Sequence, residues 1–339
     1  MAPTNASAQI TAARAHPLKV QESPYPTVGE GEIIVKVGAA AINPTDWMIQ
    51  TLGENLFPWL QYPLTIGSDL AGTVVEVASD VTKVKIGDRV LGLNGGFESR
   101  NGGFQEYAVL QAKIVSKIPE SLSFADASVL PLGLGTAASG LFQKDYLGLD
   151  YPRVDAKPNG KTLLIWAGAS SVGSNAIQLA VAAGYEVFTT ASPKNFDYCK
   201  KLGASQVFDY HSKNLTQELL DAFKGKTSAG AFGIHQGIGD TIFEVVAKSE
   251  GSKFVAATFP IPENKPEGVE AKTVWGGSLK DNEVGPIIFD EFLPAALAKG
   301  AYKAVPEPEV VGKGLEHVQD GWDKLKQGVI SAKKLVVTL

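Results

Sequence analysis

Between two apolar runs stands a stretch of small residues, Gly168-Ala169-Ser170-Ser171-Val172-Gly173, whose chemistry is that of main-chain N–H groups rather than of side chains. The run before it, Thr162 to Trp166, has the length of a buried strand. The apolar positions after it, Ile177, Leu179, Ala180 and Ala183, recur at helical spacing. A strand that turns into a helix through small residues gathers unpaired N–H groups and the positive end of the helix dipole at one point. An anionic pyrophosphate is stabilised there without a basic side chain. Gly184 is placed to end the helix in a left-handed conformation, and Tyr185 to Thr190 reads as the next strand. The spacing departs from G-x-G-x-x-G, with serines where a glycine often stands, and a glycine-serine turn also serves as a plain strand-to-helix connection.

At the end of that second strand an NAD enzyme places an acidic group for the ribose 2′-hydroxyl. Here the segment is Thr190-Ala191-Ser192-Pro193-Lys194-Asn195, whose hydroxyl, ammonium and amide could surround a 2′-phosphate, so NADP is expected rather than NAD. Ser192 or Asn195 could instead cap the helix that starts near Phe196. Other reactive side chains are sparse. Tyr62 is a candidate proton donor, with a packed loop tyrosine as the alternative. His16, His211, His235 and His317 are scattered, with no second ligand at metal spacing and no serine-acid partner. Cys199 lies on a predicted helix beside Lys200 and Lys201, which could lower its pKa; a half-buried helical thiol is the plainer reading.

The elements that must position these groups fall into two characters. From about Ile10 to Pro119 short alternating segments, among them 32–37, 72–77, 88–93 and 104–109, are separated by Gly and Pro and predict a β-rich, barrel-like domain. From Lys161 strands and helices alternate: strand 207–209, helix 215–223, strand 231–236, helix 240–248 and strand 253–258. That order predicts a parallel sheet covered on both faces. The Pro260 to Gly285 stretch reads as a long connection whose Trp275 is a candidate lining residue. Helices follow at 287–297 and 314–327, and the last strand, Lys334 to Thr338, has no βαβ partner downstream and should return to the first domain. The expected division is 1–125, a catalytic domain, 126–275, a nucleotide domain, and 276–339, a returning segment.

With 339 residues, 44 % of them hydrophobic, there is material for two cores. A formal net charge of −5 without basic clusters argues against a nucleic-acid partner. No apolar run is long enough for a bilayer, and the first residues lack the apolar block of a secretory signal, so a cytoplasmic protein without membrane association is expected. One cysteine excludes an internal disulfide framework and a zinc site built from several thiolates.

Four further segments, Ala41-Ile42-Asn43-Pro44-Thr45-Asp46, Gly67-Ser68-Asp69-Leu70-Ala71-Gly72-Thr73-Val74, Val84-Lys85-Ile86-Gly87-Asp88-Arg89-Val90 and Leu202-Gly203-Ala204, stand in the order shown by the medium-chain dehydrogenase/reductase superfamily. Over essentially its full length the chain resembles that superfamily. The resemblance implies an α/β fold: a GroES-like β-rich barrel domain plus a Rossmann domain with a doubly wound parallel sheet. Where zinc alcohol dehydrogenases of the superfamily carry a cysteine and a Gly-His-Glu, this chain has Asn43 to Asp46 and Gly67-Ser68-Asp69, and the four-cysteine lobe is missing, so no metal is expected. The likeness is closer to the zinc-free quinone oxidoreductases and enoyl reductases, particularly fungal trans-acting enoyl reductases of secondary metabolism.

Residue by residue, the resemblance implies Gly168 and Ser170, Ser171, Val172 and Gly173 at the pyrophosphate, and Ser192, Lys194, Asn195 and Tyr210 at the 2′-phosphate. It implies Thr136 beside the nicotinamide ribose or carboxamide, and Asn43, Pro44, Thr45 and Asp46 bordering the nicotinamide. Ala257 and Thr258 would touch the cofactor, Ser331 and Ala332 would complete the pocket, and Leu134 and Trp275 would face a substrate. Met48 stands where some enoyl reductases of this kind place a lysine. The expected activity is NADPH-dependent hydride transfer to an α,β-unsaturated carbonyl or a quinone, by a monomer or homodimer. A zinc-free ketone or aldehyde reductase and a non-catalytic NADPH-binding protein are the alternatives. Without a metal, such an enzyme relies on orienting its reactants and on hydrogen-bond donors at the developing oxyanion.

Overall fold

A computed structural model describes residues 3–234 and 240–339. It divides into two compact units, one of residues 1–132 and 289–339, the other of residues 133–288.

The first unit begins with a two-stranded antiparallel ribbon, β1 (Asn5–Gln9) and β2 (Lys19–Ser23). Its main strands are β3 (Glu32–Ala41), β4 (Asp69–Val77), β5 (Arg89–Leu93), β6 (Tyr107–Gln111) and β7 (Val115–Lys117). Helix α1 (Pro44–Leu52) leaves the end of β3, and α2 (Phe124–Ser128) is capped by Ser123, whose hydroxyl accepts the N–H of Asp126. α2 lies close over β3: a side chain at Gly38 would meet the Phe124 ring at 2.4 Å, so a bare backbone is required there.

Helix α3 (Pro131–Phe142) leads into the second unit. There β8 (Lys161–Ile165), β9 (Glu186–Ala191), β10 (Gln206–Asp209), β11 (Thr227–Gly233), β12 (Phe254–Ala257) and β13 (Glu270–Thr273) form one sheet. Every pair is parallel and the order is β10-β9-β8-β11-β12-β13, reversing direction beside β8. In a doubly wound sheet that reversal opens a crevice at the carboxyl ends of the central strands. Helices α4 (Ser171–Ala182), α5 (Phe196–Lys201), α6 (Leu215–Phe223) and α7 (Thr241–Lys248) are the crossovers. Gly184 ends the α4 crossover at φ +86°, as its position predicts. The 260–285 stretch, read as a connection, contains β13, whose Glu-Ala-Lys-Thr sequence lacks the apolar run of a buried strand because it is an edge. The predicted strand 231–236 ends at Gly233, and its last positions lie among residues outside those described.

Returning to the first unit, β14 (Glu307–Lys313) and β15 (Lys333–Thr338) complete a seven-stranded sheet of order β14-β15-β3-β4-β5-β7, with β6 on the other side of β3. β15 pairs antiparallel with the end of β3, Val336 opposite Ala41, so the last strand lies beside the start of α1. Trp322, fully buried on the helix Val318–Lys326, packs edge-on against Phe104 at the centre of this core. No described helix is long and apolar enough to cross a membrane.

Candidate active site

In the second unit the phosphate turn follows β8. Ala167 adopts φ +60°, a left-handed conformation that costs a non-glycine residue about 1–2 kcal/mol. The surrounding bonds hold it there: its N–H donates to Thr190 Oγ1 at 3.0 Å, and its carbonyl accepts the Ser170 hydroxyl at 2.8 Å. Ser170 is the N-cap of α4, its Oγ accepting the N–H of Gly173 at 3.0 Å. Both glycines are required by contact. A Cβ on Gly173 would stand 2.2 Å from the Ala167 carbonyl oxygen, and one on Gly168 2.3 Å from Thr189 Oγ1. The turn is therefore closely packed about its two glycines, and the N–H groups at the start of α4 can receive a phosphate; the residues fit a dinucleotide cofactor.

After β9 the chain presents Ser192, exposed Lys194 and Asn195 in a 3₁₀ turn. Ser192 Oγ lies 3.0 Å from the Tyr210 hydroxyl, so two residues 18 positions apart stand in contact. No carboxylate ends β9; its last residue is the buried Ala191. The nearby Asp209 is engaged by His211, which gives it an N–H at 3.0 Å and a ring nitrogen at 2.9 Å, and this holds its carboxyl below the usual range. The His211 ring in turn stacks on Tyr210 at 4.1 Å. His211, with no partner legible in the sequence, thus contacts both Asp209 and Tyr210.

On α3, Gly133 lets the helix approach α4 so closely that a Cβ would meet Ser171 Oγ at 2.6 Å. One turn on, Thr136 faces the backbone of Gly276, where a Cβ would be 2.8 Å from Thr136 Oγ1. Trp275, half exposed, precedes it, and its N–H donates to the Tyr146 hydroxyl at 3.3 Å. Thr136 and Trp275 are therefore neighbours, whereas Leu134 is fully buried on α3. Ala257 ends β12 with its carbonyl accepting Val274 N–H at 2.7 Å, and Thr258 N–H returns to Gly233.

The first unit holds a buried polar cluster at the α1 N-terminus. Asn43 N–H donates to Asp46 Oδ2 at 2.8 Å in a capping box. Asn43 Nδ2 donates to Asp69 Oδ2 at 2.8 Å, and Lys334 Nζ donates to Asn43 Oδ1 at 3.0 Å and to Asp69 Oδ2 at 2.5 Å. The second oxygen of Asp69 accepts the N–H of Leu132. All four polar side chains are at most 4 % exposed. Burial, reinforced by the Asp69 charge and opposed by the Asn43 N–H and the Lys334 ammonium, pushes the Asp46 carboxyl up to about 8, so it holds a proton at neutral pH. Pro44 and Thr45 lie exposed at the helix start. Ser331 is exposed, and Ala332, at φ +50°, precedes β15 and with it Lys334.

Asp69 and Lys334 were not among the sequence-predicted site residues. Asp69 had drawn notice only as part of a segment without zinc ligands, and Lys334 only as the start of an apolar strand; a lysine inside such a strand was the overlooked signal. A zinc ion does not fit this donor set. Its Asp69 side chain already faces the Lys334 ammonium, and among the described residues no histidine or cysteine completes a metal site there. Among the described residues no group of three His, Cys, Asp or Glu could hold a metal.

The remaining candidates stand apart. Tyr62 has a buried hydroxyl without a hydrogen-bond partner among the described residues, and burial raises its pKa. Cys199 is fully buried and its thiol is pushed up to about 12, which leaves it unreactive. His16 and His317 lie beside Asp323 and Asp320 at the surface, and His235 is outside the described residues.

Comparison with known proteins agrees with this architecture. Residues 29–120 match the alcohol dehydrogenase GroES-like domain, and residues 171–249 match the zinc-binding dehydrogenase model. The dehydrogenase azaJ of Aspergillus niger is 52 % identical over 99 % of both chains. The trans-enoyl reductase himH of Aspergillus japonicus is 40 % identical over 99 % of this chain and 97 % of its own. An alcohol dehydrogenase superfamily protein of Novosphingobium aromaticivorans superposes with a TM-score of 0.81 at 25 % identity, over 99 % of this chain and all of the other. The chain belongs to the medium-chain dehydrogenase/reductase superfamily, as its sequence segments imply. It has that superfamily's pairing of a GroES-like domain with a Rossmann domain, and is an oxidoreductase of the kind that uses a nicotinamide cofactor.

Proposed function

We propose that this oxidoreductase is NADPH-dependent and zinc-independent, and that it reduces the C=C bond of an α,β-unsaturated carbonyl compound or a quinone. The paired hydroxyls of Ser192 and Tyr210, set where an acidic residue would select an unphosphorylated ribose, carry the cofactor assignment. Lys194 on the same turn adds positive charge for a 2′-phosphate. When bound, the cofactor supplies hydride.

The protein's part is placement and electrostatics. The backbone of the Gly168 to Gly173 turn binds the pyrophosphate, and Thr136, beside Gly276, orients the nicotinamide end. The α1 donor set, which does not fit zinc, favours an acceptor that needs no Lewis acid, and the β-carbon of an enone is already electrophilic. Hydride addition there leaves an enolate that takes one proton from solvent or a hydroxyl. The name of the trans-enoyl reductase relative supports the same acceptor class.

Stopped-flow loss of NADPH absorbance with a panel of enones and quinones tests the reading, with the product identified for each. Saturated ketones or hydroquinones are expected. Allylic alcohols as sole products would assign carbonyl reduction instead, and the absence of turnover across the panel would reject the acceptor class.

A further inference from the structure

The segment assigned to the 2′-phosphate is tied to the pyrophosphate turn on both sides. Ahead of it, Thr190 receives the N–H of Ala167 on its Oγ1 at 3.0 Å and the N–H of Gly168 on its carbonyl at 2.9 Å. Behind it, on α5, the Tyr198 hydroxyl lies 2.9 Å from Ser174 Oγ, on the first turn of α4. Ser174 has one hydroxyl proton, and the Ser170 carbonyl is placed to accept it at 2.7 Å. Tyr198 is then the donor to Ser174. The bonds therefore run from Tyr198 through the Ser174 hydroxyl to the main-chain carbonyl of Ser170, with the Gly168 carbonyl 3.3 Å from the same hydroxyl; the Ser170 side chain separately holds Gly173 N–H and the Ala167 carbonyl. Desolvation raises the Tyr198 phenol to about 12, which keeps it neutral and able to donate.

Four residues, Ser192 to Asn195, are thus bracketed by two hydroxyl contacts, one to Ala167 at the entry to the turn and one to Ser174 on the first turn of α4. We infer that Tyr198 is a positioning residue for cofactor discrimination, fixing the spacing between the 2′-phosphate segment and the pyrophosphate turn through its bond to Ser174. The inference rests on the NADPH reading above. A ligand with two anionic anchors gains fully from both only if their spacing is set before it binds. A dinucleotide without the 2′-phosphate uses one anchor and loses little when the spacing loosens. A hydroxyl that merely stiffened the turn would affect both ligands alike.

Fluorescence titration of wild type and Tyr198→Phe with NADPH and with NADH separates these cases. The expected result is a rise of about fivefold in the NADPH dissociation constant, with NADH changed less than about twofold. Equal weakening of both cofactors, or no change in either, overturns the positioning role. Ser174→Ala removes the same bond from the other side together with the Ser174 bonds to the Ser170 and Gly168 carbonyls, and should lower the NADPH preference at least to a similar degree. Added to Tyr198→Phe, it should cost little more; full additivity counts against the relay. Wild-type titration reads the cofactor assignment separately. A wild-type chain without NADPH preference overturns that assignment and the inference with it, whereas a preference that survives in both variants overturns the inference alone.

Discussion

At the phosphate turn the useful groups are main-chain amides, held by serine and threonine hydroxyls in a turn that is closely packed at Gly168 and Gly173. At the α1 N-terminus they are buried polar side chains around the Lys334–Asp69 ion pair, contributed by residues as far apart as Asn43 and Lys334, 291 positions. The turn has no room for an added atom, because Gly173 meets the Ala167 backbone and Gly168 the Thr189 side chain at close range. The cluster tolerates no lost partner because a buried ion has no solvent to fall back on. Steric demand governs one and charge balance the other, so they should fail differently.

The largest effect is expected at the ion pair. Lys334→Met leaves Asp69 buried without its cation and should destabilise the first unit by about 3–5 kcal/mol in denaturant unfolding. Adding Asp69→Asn should restore much of that loss; if the double variant is no better than the single, charge balance is not the cause. Gly173→Ala comes next. Its methyl would meet the Ala167 carbonyl at 2.2 Å, so NADPH affinity should fall at least about tenfold while the first unit unfolds as before. Equal affinity would show that the turn can open without loss.

Asp46 sharpens the comparison through pH. Its folded pKa, about 8, lies above the unfolded carboxylate value, so the native state binds more protons between the two. Its stabilising contribution is full below about pH 4 and is lost as pH rises toward about 8, with a slope of up to about 1.4 kcal/mol per pH unit. Asp46→Asn should remove that slope, seen as the difference between wild-type and variant stability across this range. A constant difference would mean that Asp46 is ionised when buried. The smallest effect belongs to the exposed subsite. Ser192→Ala or Tyr210→Phe should weaken NADPH about three- to tenfold and leave NADH unchanged. Parallel losses for the two cofactors would remove the 2′-phosphate from this subsite.

Legibility followed the range of the interactions. The order of strands and helices from Lys161, the turn at Gly168 to Gly173 and the stop at Gly184 were readable because each depends on residues a few positions apart. The family resemblance groups Ser192 with Tyr210, each at the end of its own strand, whereas their contact comes from the parallel pairing of β9 with β10. β13 escaped notice since an edge strand need not be apolar on both faces.

By itself the amino-acid sequence determined the superfamily, the two kinds of domain and the absence of cysteine and histidine at the positions where zinc would be bound, all matters of residue type and local order. Only the tertiary structure decided that Lys334 faces Asp69, that Asp46 keeps its proton, and that Tyr198 reaches Ser174. The physical reason is that charge state and hydroxyl pairing depend on desolvation and on distances of a few ångströms. The sheet order sets those distances, and no local spacing in the chain encodes them.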